Sequence, residues 1–233
     1  MRDIDVRTAM RLQLTREHSG NDETLIVEEM GVWANSVRID IAVINGELAG
    51  VELKSDRDTL VRLPLQSDIY SRVFDRLTLV AGSRHIEKAS AIVPTWWSLI
   101  EARQNGSDVD LTLLRRGETN PSVDPFLVAH LLRKDEALEV LDSHGLAKGW
   151  RGKRIGEIHR RLADALPLKD LRKHVREGLR ARSDWLRQNR TNQLNVAVDR
   201  KTDPKAKPLC AMSPVGDLVD DVISPTVSQT AAS

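Results

Sequence analysis

The stretch VRIDIAVINGELAGVELKSD, residues 37–56, decides the fold that this sequence predicts. Apolar residues alternate on both sides of the Asn-Gly pair at 45–46, which is the strongest short-range signal for a β-hairpin. Antiparallel pairing brings the beginning of the first arm beside the end of the second. We therefore expect Asp40 of the first arm to lie at the same edge of the hairpin as Glu52 and Lys54 of the second.

The register of this hairpin decides whether the three side chains share a face. Side chains alternate between the two faces of a strand, so Glu52 and Lys54 face the same way. Asp40 joins them only when the numbers of paired residues add to an even total. A two-residue turn gives the odd register, whereas a three-residue turn at 44–46 with a left-handed Gly46 gives the even one. Chemistry at this edge therefore predicts a bulged turn.

Two carboxylates that converge on one point repel each other unless a cation lies between them. Mg²⁺ and Mn²⁺ take oxygen ligands from one or two carboxylates and keep positions for water and phosphate. Asp40 and Glu52 are therefore candidate ligands of such an ion. Lys54 beside it could orient or deprotonate a water molecule, or neutralise charge that develops on a phosphate. This combination predicts hydrolysis of a phosphodiester bond.

The elements around the hairpin predict an α/β fold. Strands are expected at Leu25–Met30, Val37–Ile44, Leu48–Lys54, Leu77–Ala81, Ala91–Val93 and Val109–Leu114, from their β-branched content and the turn residues between them. One helix is expected at Thr8–Arg16 and another within Thr59–Phe74. The second begins near Leu63, because Pro64 is tolerated only in the first turn of a helix. The predicted order is α-β-β-β-α-β, a mixed sheet flanked by helices.

These residues resemble the PD-(D/E)XK nuclease superfamily, with Asp40 as the lone acid and the segment ELK at 52–54 as its E-x-K motif. The order of elements is similar to the core of that superfamily, which implies a restriction-endonuclease-like fold. The segment QSDIY, from Gln66 to Tyr70, is similar to the Q-x-x-x-Y element of RecB-like members. In those members the element helps to position the scissile strand and the metal site. Residues four apart share a helix face, so both side chains can look toward one site.

The resemblance covers residues from about Leu25 to Ala102, including RIDIAVINGELAGVELKSDRDTLVRLPLQSDIYSRVFD, LTLVAGSRH and IVPTWWSLIEA. It is similar to a little-characterised bacterial and phage branch of the superfamily. Members often add an upstream glutamate, which implies Glu29 as a further metal ligand, with Glu28 as the alternative. Ser98 stands where relatives tend to have glycine, at a position peripheral to the metal site.

Simpler interpretations of the same residues remain open. A strand that ends in Glu-x-Lys is, by itself, most often a solvated ion pair at the edge of a sheet. Tyr70 on a helix facing a sheet can equally be a core residue whose hydroxyl finds a partner. It is the combination of these residues in order along the chain that favours a catalytic site.

Basic residues concentrate in the second half of the chain. Residues 148–190 contain fourteen Lys or Arg against five Asp or Glu, although the formal net charge of the whole chain is only +1. Helices are expected at Phe126–Leu132 and Glu136–His144, and two amphipathic helices meet at Pro167. Such a basic surface supplies non-specific affinity for phosphates. The alternatives are solvated helix faces, or docking on the acidic part of a second copy.

Six cations are candidates for contact with nucleic acid. Arg57 and Arg62 follow the hairpin closely, and the helical module contributes Arg154, Arg161, Arg172 and Lys173.

Composition divides the chain into three parts: a nuclease-like domain over residues 1–118, a basic helical module over 119–190 and a disordered tail over 191–233. The tail is rich in Pro, Ser, Thr and Asp and poor in large apolar residues. The only cysteine, Cys210, allows no disulfide within the chain. The start of the sequence lacks the apolar run of a signal peptide, and no stretch has about 18 consecutive apolar residues. We expect a soluble, cytoplasmic protein.

Together these features predict a Mg²⁺- or Mn²⁺-dependent deoxyribonuclease that acts in phage or bacterial DNA processing, repair or defence. In this hypothesis the ion is held by Asp40, Glu52 and Glu29, water is activated by Lys54, and the substrate strand is positioned by Gln66 and Tyr70. DNA is the expected partner, single- or double-stranded, and cutting both strands of a duplex would favour a homodimer. The alternative is a catalytically silent module of the same fold that binds nucleic acid or protein.

Overall fold

The computed structural model describes residues 1–182 of the 233-residue chain. The predicted tail from residue 191 and the end of the helical module lie outside the described residues. The helices are α1 Asp3–Glu17, α2 Leu63–Ser71, α3 Ile86–Ile92, α4 Pro125–Ala129, α5 Lys134–Ser143, α6 Ile155–Ala165 and α7 Leu168–Ala181. The strands are β1 Leu25–Val32, β2 Val37–Ile44, β3 Leu48–Lys54, β4 Arg76–Gly82, β5 Ser98–Asn105 and β6 Asp108–Arg115. Within residues 1–182, no helix combines the length and the apolar character needed to span a membrane.

The six strands form one open sheet in the order in which they occur along the chain. The pairs β1–β2, β2–β3 and β5–β6 are antiparallel, whereas β3–β4 and β4–β5 are parallel. A parallel pair requires a crossover connection, and α2 and α3 lie within the two crossovers. The α/β fold with a mixed sheet is therefore confirmed, while its assignment to the restriction-endonuclease-like core stays a prediction.

The sequence prediction and the structure differ at two elements, one predicted wrongly and one not predicted. The residues Ala91–Val93, predicted as a strand, form the end of α3 and its C-cap. A seven-residue helix is too short to establish a helical period, so its apolar end resembles a strand in the sequence. The strand β5 was not predicted, because its second half, Arg103–Asn105, is polar and exposed. It pairs with the edge strand β6 across a turn in which Gly106 has φ 61°.

The sheet separates two apolar clusters. On one face α1 packs through Val6, Met10 and Leu14, which recur every four residues, against alternate residues of β2, β3 and β6. On the other face α2 shares a single cluster with apolar residues of α4 to α7 and of β1 to β4. The core is thus continuous across position 118, and the division of the chain into two domains there stays a prediction.

Asp75 joins α7 to the sheet. Its side chain is buried, and its Oδ2 accepts a hydrogen bond of 2.8 Å from the backbone N–H of Leu48. Arg172 Nε lies 3.0 Å from Asp75 Oδ1, and Arg176 Nη1 lies 4.0 Å from Oδ2. Because Leu48 begins β3 and Lys54 ends it, this junction lies about 20 Å from Lys54, at about 3.3 Å per strand residue.

We expect Asp75→Ala to lower the free energy of unfolding by about 3 kcal/mol, because it leaves the buried Leu48 N–H without its acceptor and removes the negative charge that pairs with Arg172 and Arg176. Urea unfolding of the two proteins measures the difference. The control is Asp142→Ala, since Asp142 forms an exposed pair with Arg151 at 3.7 Å. Such a pair contributes less than about 0.5 kcal/mol. Equal effects of the two substitutions would contradict the role of Asp75.

Candidate active site

The β2–β3 hairpin has the even register on which a shared site depends. Ile44 pairs with Leu48, and the ladder continues in step to Ile41 and Val51. The ladder ends at that pair, and Asp40 contacts β3 through its side chain, which accepts a hydrogen bond from the backbone N–H of Leu53, the residue after Glu52. Asp40 thus lies beside the segment that carries Glu52 and Lys54, close enough for its charge to act on Glu52, while a shared catalytic site stays a prediction.

The turn that produces this register differs from the predicted one. It consists of residues 45–47 rather than 44–46, and Gly46 is not among the glycines with positive φ. The side chain of Asn45 instead accepts a hydrogen bond of 3.0 Å from the backbone N–H of Glu47. An Asn side chain that bonds the backbone two residues on closes a turn by itself. The prediction of a left-handed Gly46 was therefore wrong.

Glu52 and Lys54 form a buried ion pair. Their side chains are 1% and 8% exposed, and Lys54 Nζ donates a hydrogen bond to Glu52 Oε1. The second oxygen of the carboxylate, Glu52 Oε2, is buried and makes no direct hydrogen bond among the described residues, although the Tyr70 hydroxyl lies close enough to lower the pKa of this carboxyl. A buried charged oxygen without a partner is costly. The atom is therefore placed to accept an added cation or hydrogen-bond donor.

Asp40 lies between the hairpin and α1. Its Oδ2 accepts a hydrogen bond of 2.7 Å from the backbone N–H of Leu53, and Arg7 Nη2 lies 2.7 Å from its Oδ1. Burial raises the pKa of Asp40, although the Leu53 N–H and the positive charges of Arg7 and Lys54 favour the ionised form. The carboxylate thus has a backbone donor on one oxygen and a guanidinium on the other.

Both upstream glutamates are paired with arginines of α1. Arg7 Nη2 lies 2.9 Å from Glu29 Oε1, and Arg11 Nη1 lies 3.1 Å from Glu28 Oε1. Glu29 has φ 54°, which is uncommon for a residue other than glycine, and the β1–β2 ladder is interrupted at this residue. Sequence reasoning missed Arg7. The signal available was the four-residue spacing of the two arginines, which places them on one face of α1.

Gln66 and Tyr70 connect α2 to the strand that carries Asp40. Both side chains are buried, and Gln66 Nε2 donates a hydrogen bond of 3.4 Å to the Tyr70 hydroxyl. That hydroxyl donates in turn to the backbone carbonyl of Arg38, two residues before Asp40. Burial, reinforced by the charge of Glu52, raises the pKa of Tyr70, so the hydroxyl stays protonated. The predicted Q-x-x-x-Y pair is thus assembled beside β2.

The six cations predicted to contact nucleic acid fall into two groups. Arg57 and Arg62 are exposed in the loop between β3 and α2, immediately after Lys54. The other four belong to the α6–α7 region. On α7, Arg172 pairs with Asp75, and Lys173 Nζ lies 4.0 Å from Glu177. On α6, Arg161 lies 5.7 Å from the ring of Trp150, and Arg154 is exposed at the start of the helix. Only Arg57 and Arg62 lie close in the chain to the end of β3, the strand that carries Glu52 and Lys54.

The acids of this site fit an ion that takes two protein ligands. Within residues 1–182, no group of three or more His, Cys, Asp or Glu side chains is arranged to hold a metal ion. Asp40 is close enough to Glu52 for its charge to act on that carboxyl, and Glu52 Oε2 makes no direct hydrogen bond among the described residues. Mg²⁺ is commonly bound by one or two carboxylates, with water and substrate phosphate completing its shell. Glu29 as a third ligand stays a prediction, since its carboxylate contacts Arg7.

The pKa of Glu52 is raised to about 7, mainly by burial and also by the nearby charge of Asp40, against the opposing effect of Lys54. In the unfolded chain the same group releases its proton near 4.5. Between these values the folded state binds more protons than the unfolded state. The free energy of unfolding therefore falls as the pH rises from about 4.5 to about 7, and this contribution is constant above that window.

We expect the wild-type protein to lose on the order of 2 kcal/mol more stability than Glu52→Gln when the pH is raised from 5 to 8. The glutamine variant cannot release a proton at this position, so it lacks this part of the pH dependence. Urea unfolding of both proteins in EDTA at the two pH values measures the effect. Parallel pH profiles would show that Glu52 titrates normally in the folded protein.

Comparison with known proteins places the chain in a phage family. It is 28% identical over 216 residues to protein cII of Enterobacteria phage P4, across 89% of this chain and 79% of that protein. A solved structure of a protein of unknown function from Silicibacter pomeroyi aligns at 17% identity over 66% of this chain and 97% of that one, with a TM-score of 0.38. Residues 6–203 match the family model of the bacteriophage P4 protein cII. This chain therefore belongs to the bacteriophage P4 protein cII family.

Proposed function

We propose that this protein is a metal-dependent nuclease that hydrolyses phosphodiester bonds of DNA. The observation that carries the proposal is the buried carboxylate of Glu52, which pairs with Lys54 through one oxygen and keeps the other without a direct hydrogen bond among the described residues. Asp40 lies nearby on the neighbouring strand, where its carboxylate accepts a hydrogen bond from the backbone N–H of Leu53. Replacing a buried ion pair by apolar residues is often neutral or stabilising, so stability alone does not account for these charges.

Asp40 and Glu52 would hold a Mg²⁺ or Mn²⁺ ion. The ion, when bound, supplies a positive charge beside the scissile phosphate and a coordinated water of lowered pKa. Ionisation of Glu52 prepares the site for the metal ion, because this carboxyl is partly protonated near pH 7 when no metal ion is present. A divalent cation favours the ionised form and lowers the pKa of such a group.

Lys54 would act through its ammonium group. It already donates one hydrogen bond to Glu52, and an ammonium has three donors, so two remain for a phosphate oxygen or a water molecule. As an ammonium it neutralises charge that develops on the phosphate and orients the attacking water.

Gln66 and Tyr70 would position the strand that carries Asp40 and, through it, the substrate. Their hydrogen bonds end on the Arg38 carbonyl, so displacement of α2 would move β2 at the point where the acid is attached. Arg57 and Arg62, exposed after Lys54, would bind phosphates of the DNA backbone. Membership of a phage protein family supports a role connected with phages, and the proposed chemistry would place that role in phage or bacterial DNA processing, repair or defence.

The first test is cleavage of labelled linear DNA, circular single-stranded DNA and supercoiled DNA in the presence of Mg²⁺ or Mn²⁺. We expect Glu52→Gln and Lys54→Ala to lower the rate at least 100-fold, because each removes a charge used at the reacting phosphate. DNA affinity should stay within about threefold of the wild-type value for Lys54→Ala, since a single phosphate contact contributes little to it.

The matched control is Glu47→Gln, which makes the same change at the other end of the same hairpin, where Glu47 pairs with Arg76. It should cleave at the wild-type rate. Cleavage of circular single-stranded or supercoiled DNA would indicate an endonuclease, and cleavage confined to linear DNA an exonuclease. Undiminished cleavage by Lys54→Ala would remove this residue from the mechanism, and the same result for Glu52→Gln would refute the proposed site.

A second candidate function is a catalytically silent module that binds nucleic acid or protein. The observation that favours it is the guanidinium of Arg7, which already neutralises Asp40 and Glu29 without a metal ion. In this case the acids would be structural, and binding would depend on the exposed cations alone.

Thermal unfolding with and without Mn²⁺ separates the two candidates, because a ligand that binds only the folded state raises the melting temperature. For the nuclease we expect 1 mM Mn²⁺ to raise the Tm of the wild type by several degrees, and we expect Asp40→Asn to abolish that rise. If the wild type and the variant respond alike, the silent module becomes the better account.

A further inference from the structure

Arg7 makes more polar contacts than its position on the first helix suggests. Its side chain is only 14% exposed, and its Nε lies 3.2 Å from Asp3 Oδ2. Its Nη1 donates to the backbone carbonyl of Asp40 at 3.1 Å. Its Nη2 lies 2.7 Å from Asp40 Oδ1 and 2.9 Å from Glu29 Oε1. One nitrogen thus lies between two carboxylates that belong to neighbouring strands.

These contacts leave Asp40 with a restricted capacity for a metal ion. Its Oδ1 is occupied by Arg7, and its Oδ2 accepts the Leu53 N–H. A carboxylate oxygen has more than one lone pair, so the Oδ2 side can still accept a cation. Asp40 Oδ2 contacts β3, the strand that also carries Glu52. A position between Asp40 and Glu29, in contrast, already contains a positive charge.

We propose that Arg7 is a built-in cation of this site, which occupies the position between Asp40 and Glu29 and confines a divalent ion to the side of Asp40 and Glu52. The site would then take one ion, with the guanidinium acting as a second positive charge that positions Asp40. The inference rests on the proposed function for the ion at Asp40 and Glu52, whereas the contacts of Arg7 itself are independent of it.

The chemistry of arginine suits this role. A guanidinium stays protonated in proteins and presents five donors in a fixed planar arrangement, so it can bind two carboxylates and a carbonyl at once. Its place is fixed by α1, which docks on the sheet through Val6, Met10 and Leu14. Unlike a metal ion it cannot dissociate, so the charge balance of Asp40 and Glu29 does not depend on the metal concentration.

The test is the number of Mn²⁺ ions bound per full-length chain, measured by equilibrium dialysis with detection of free Mn²⁺ by electron paramagnetic resonance. We expect one ion for the wild type and two for Arg7→Gln, because glutamine removes the charge and leaves Asp40 and Glu29 facing each other. The double variant Arg7→Gln/Glu29→Gln should return to one ion, since one of the two carboxylates that Arg7 neutralised is then replaced by a neutral amide.

The matched control is Arg11→Gln, which removes the same charge one turn later on the same helix and breaks only the pair with Glu28. It should bind as many ions as the wild type. A second variant, Glu29→Gln, covers the case in which Arg7→Gln does not fold, because the Glu29 side chain is half exposed and its loss leaves the pair of Arg7 with Asp40 intact. Glu29→Gln should bind Mn²⁺ with wild-type number and affinity.

The outcomes separate this inference from the proposed function. One extra ion in Arg7→Gln, relative to the wild type, supports the inference whether the wild type binds one ion or none. A wild type that binds no ion refutes the proposed metal site at Asp40 and Glu52. Equal numbers in the wild type and a folded Arg7→Gln overturn the inference. So do two ions in the wild type, or a tenfold loss of Mn²⁺ affinity in Glu29→Gln, since Glu29 would then bind the ion directly.

Discussion

The burial of Glu52 beside Lys54 is the constraint on which the rest of this site depends. A carboxylate at the middle of a sheet, 1% exposed, is tolerated only because an ammonium two residues later shares its face. The pairing of β2 with β3 then brings a second acid, Asp40, to the neighbouring position. Three charged groups are thus held together by the two-residue period of one strand and the register of one hairpin, and the neighbouring elements are arranged to stabilise them.

Two helices on opposite faces of the sheet stabilise this arrangement in different ways. From one side α2 contributes the hydrogen bonds of Gln66 and Tyr70, which end on the backbone of β2 and fix its position. From the other side α1 contributes Arg7, which supplies a positive charge to the Asp40 carboxylate and a hydrogen bond to the Asp40 backbone carbonyl. The helices α4 to α7 are anchored elsewhere, since their link through Asp75 reaches the beginning of β3. The chemistry and the basic helices are therefore at different ends of the same strand.

Most of the fold could be predicted because its signals are local. The Asn-Gly turn, the alternation along β2 and β3 and the position of Pro64 in the first turn of α2 are properties of a few neighbouring residues. The parity of the hairpin register was predictable, because a turn of three residues gives an even register wherever along the chain it is placed. The residues that form the turn were not predictable, since either an Asn45 side chain that accepts a backbone hydrogen bond or a left-handed glycine can close a three-residue turn. The strand β5 was missed because half of it is polar.

The site was predictable where its residues share a strand or a helix, and not where they meet across the fold. Glu52 with Lys54, and Gln66 with Tyr70, follow from spacings of two and four. Arg7 lies 33 residues before Asp40, and nothing in the local pattern states which face of the sheet α1 covers. The neutralising charge at a cluster of acids therefore cannot be inferred from the acids alone. An unpaired set of carboxylates in a sequence indicates that a cation is needed, but whether the chain supplies part of it is decided only by how its helices pack.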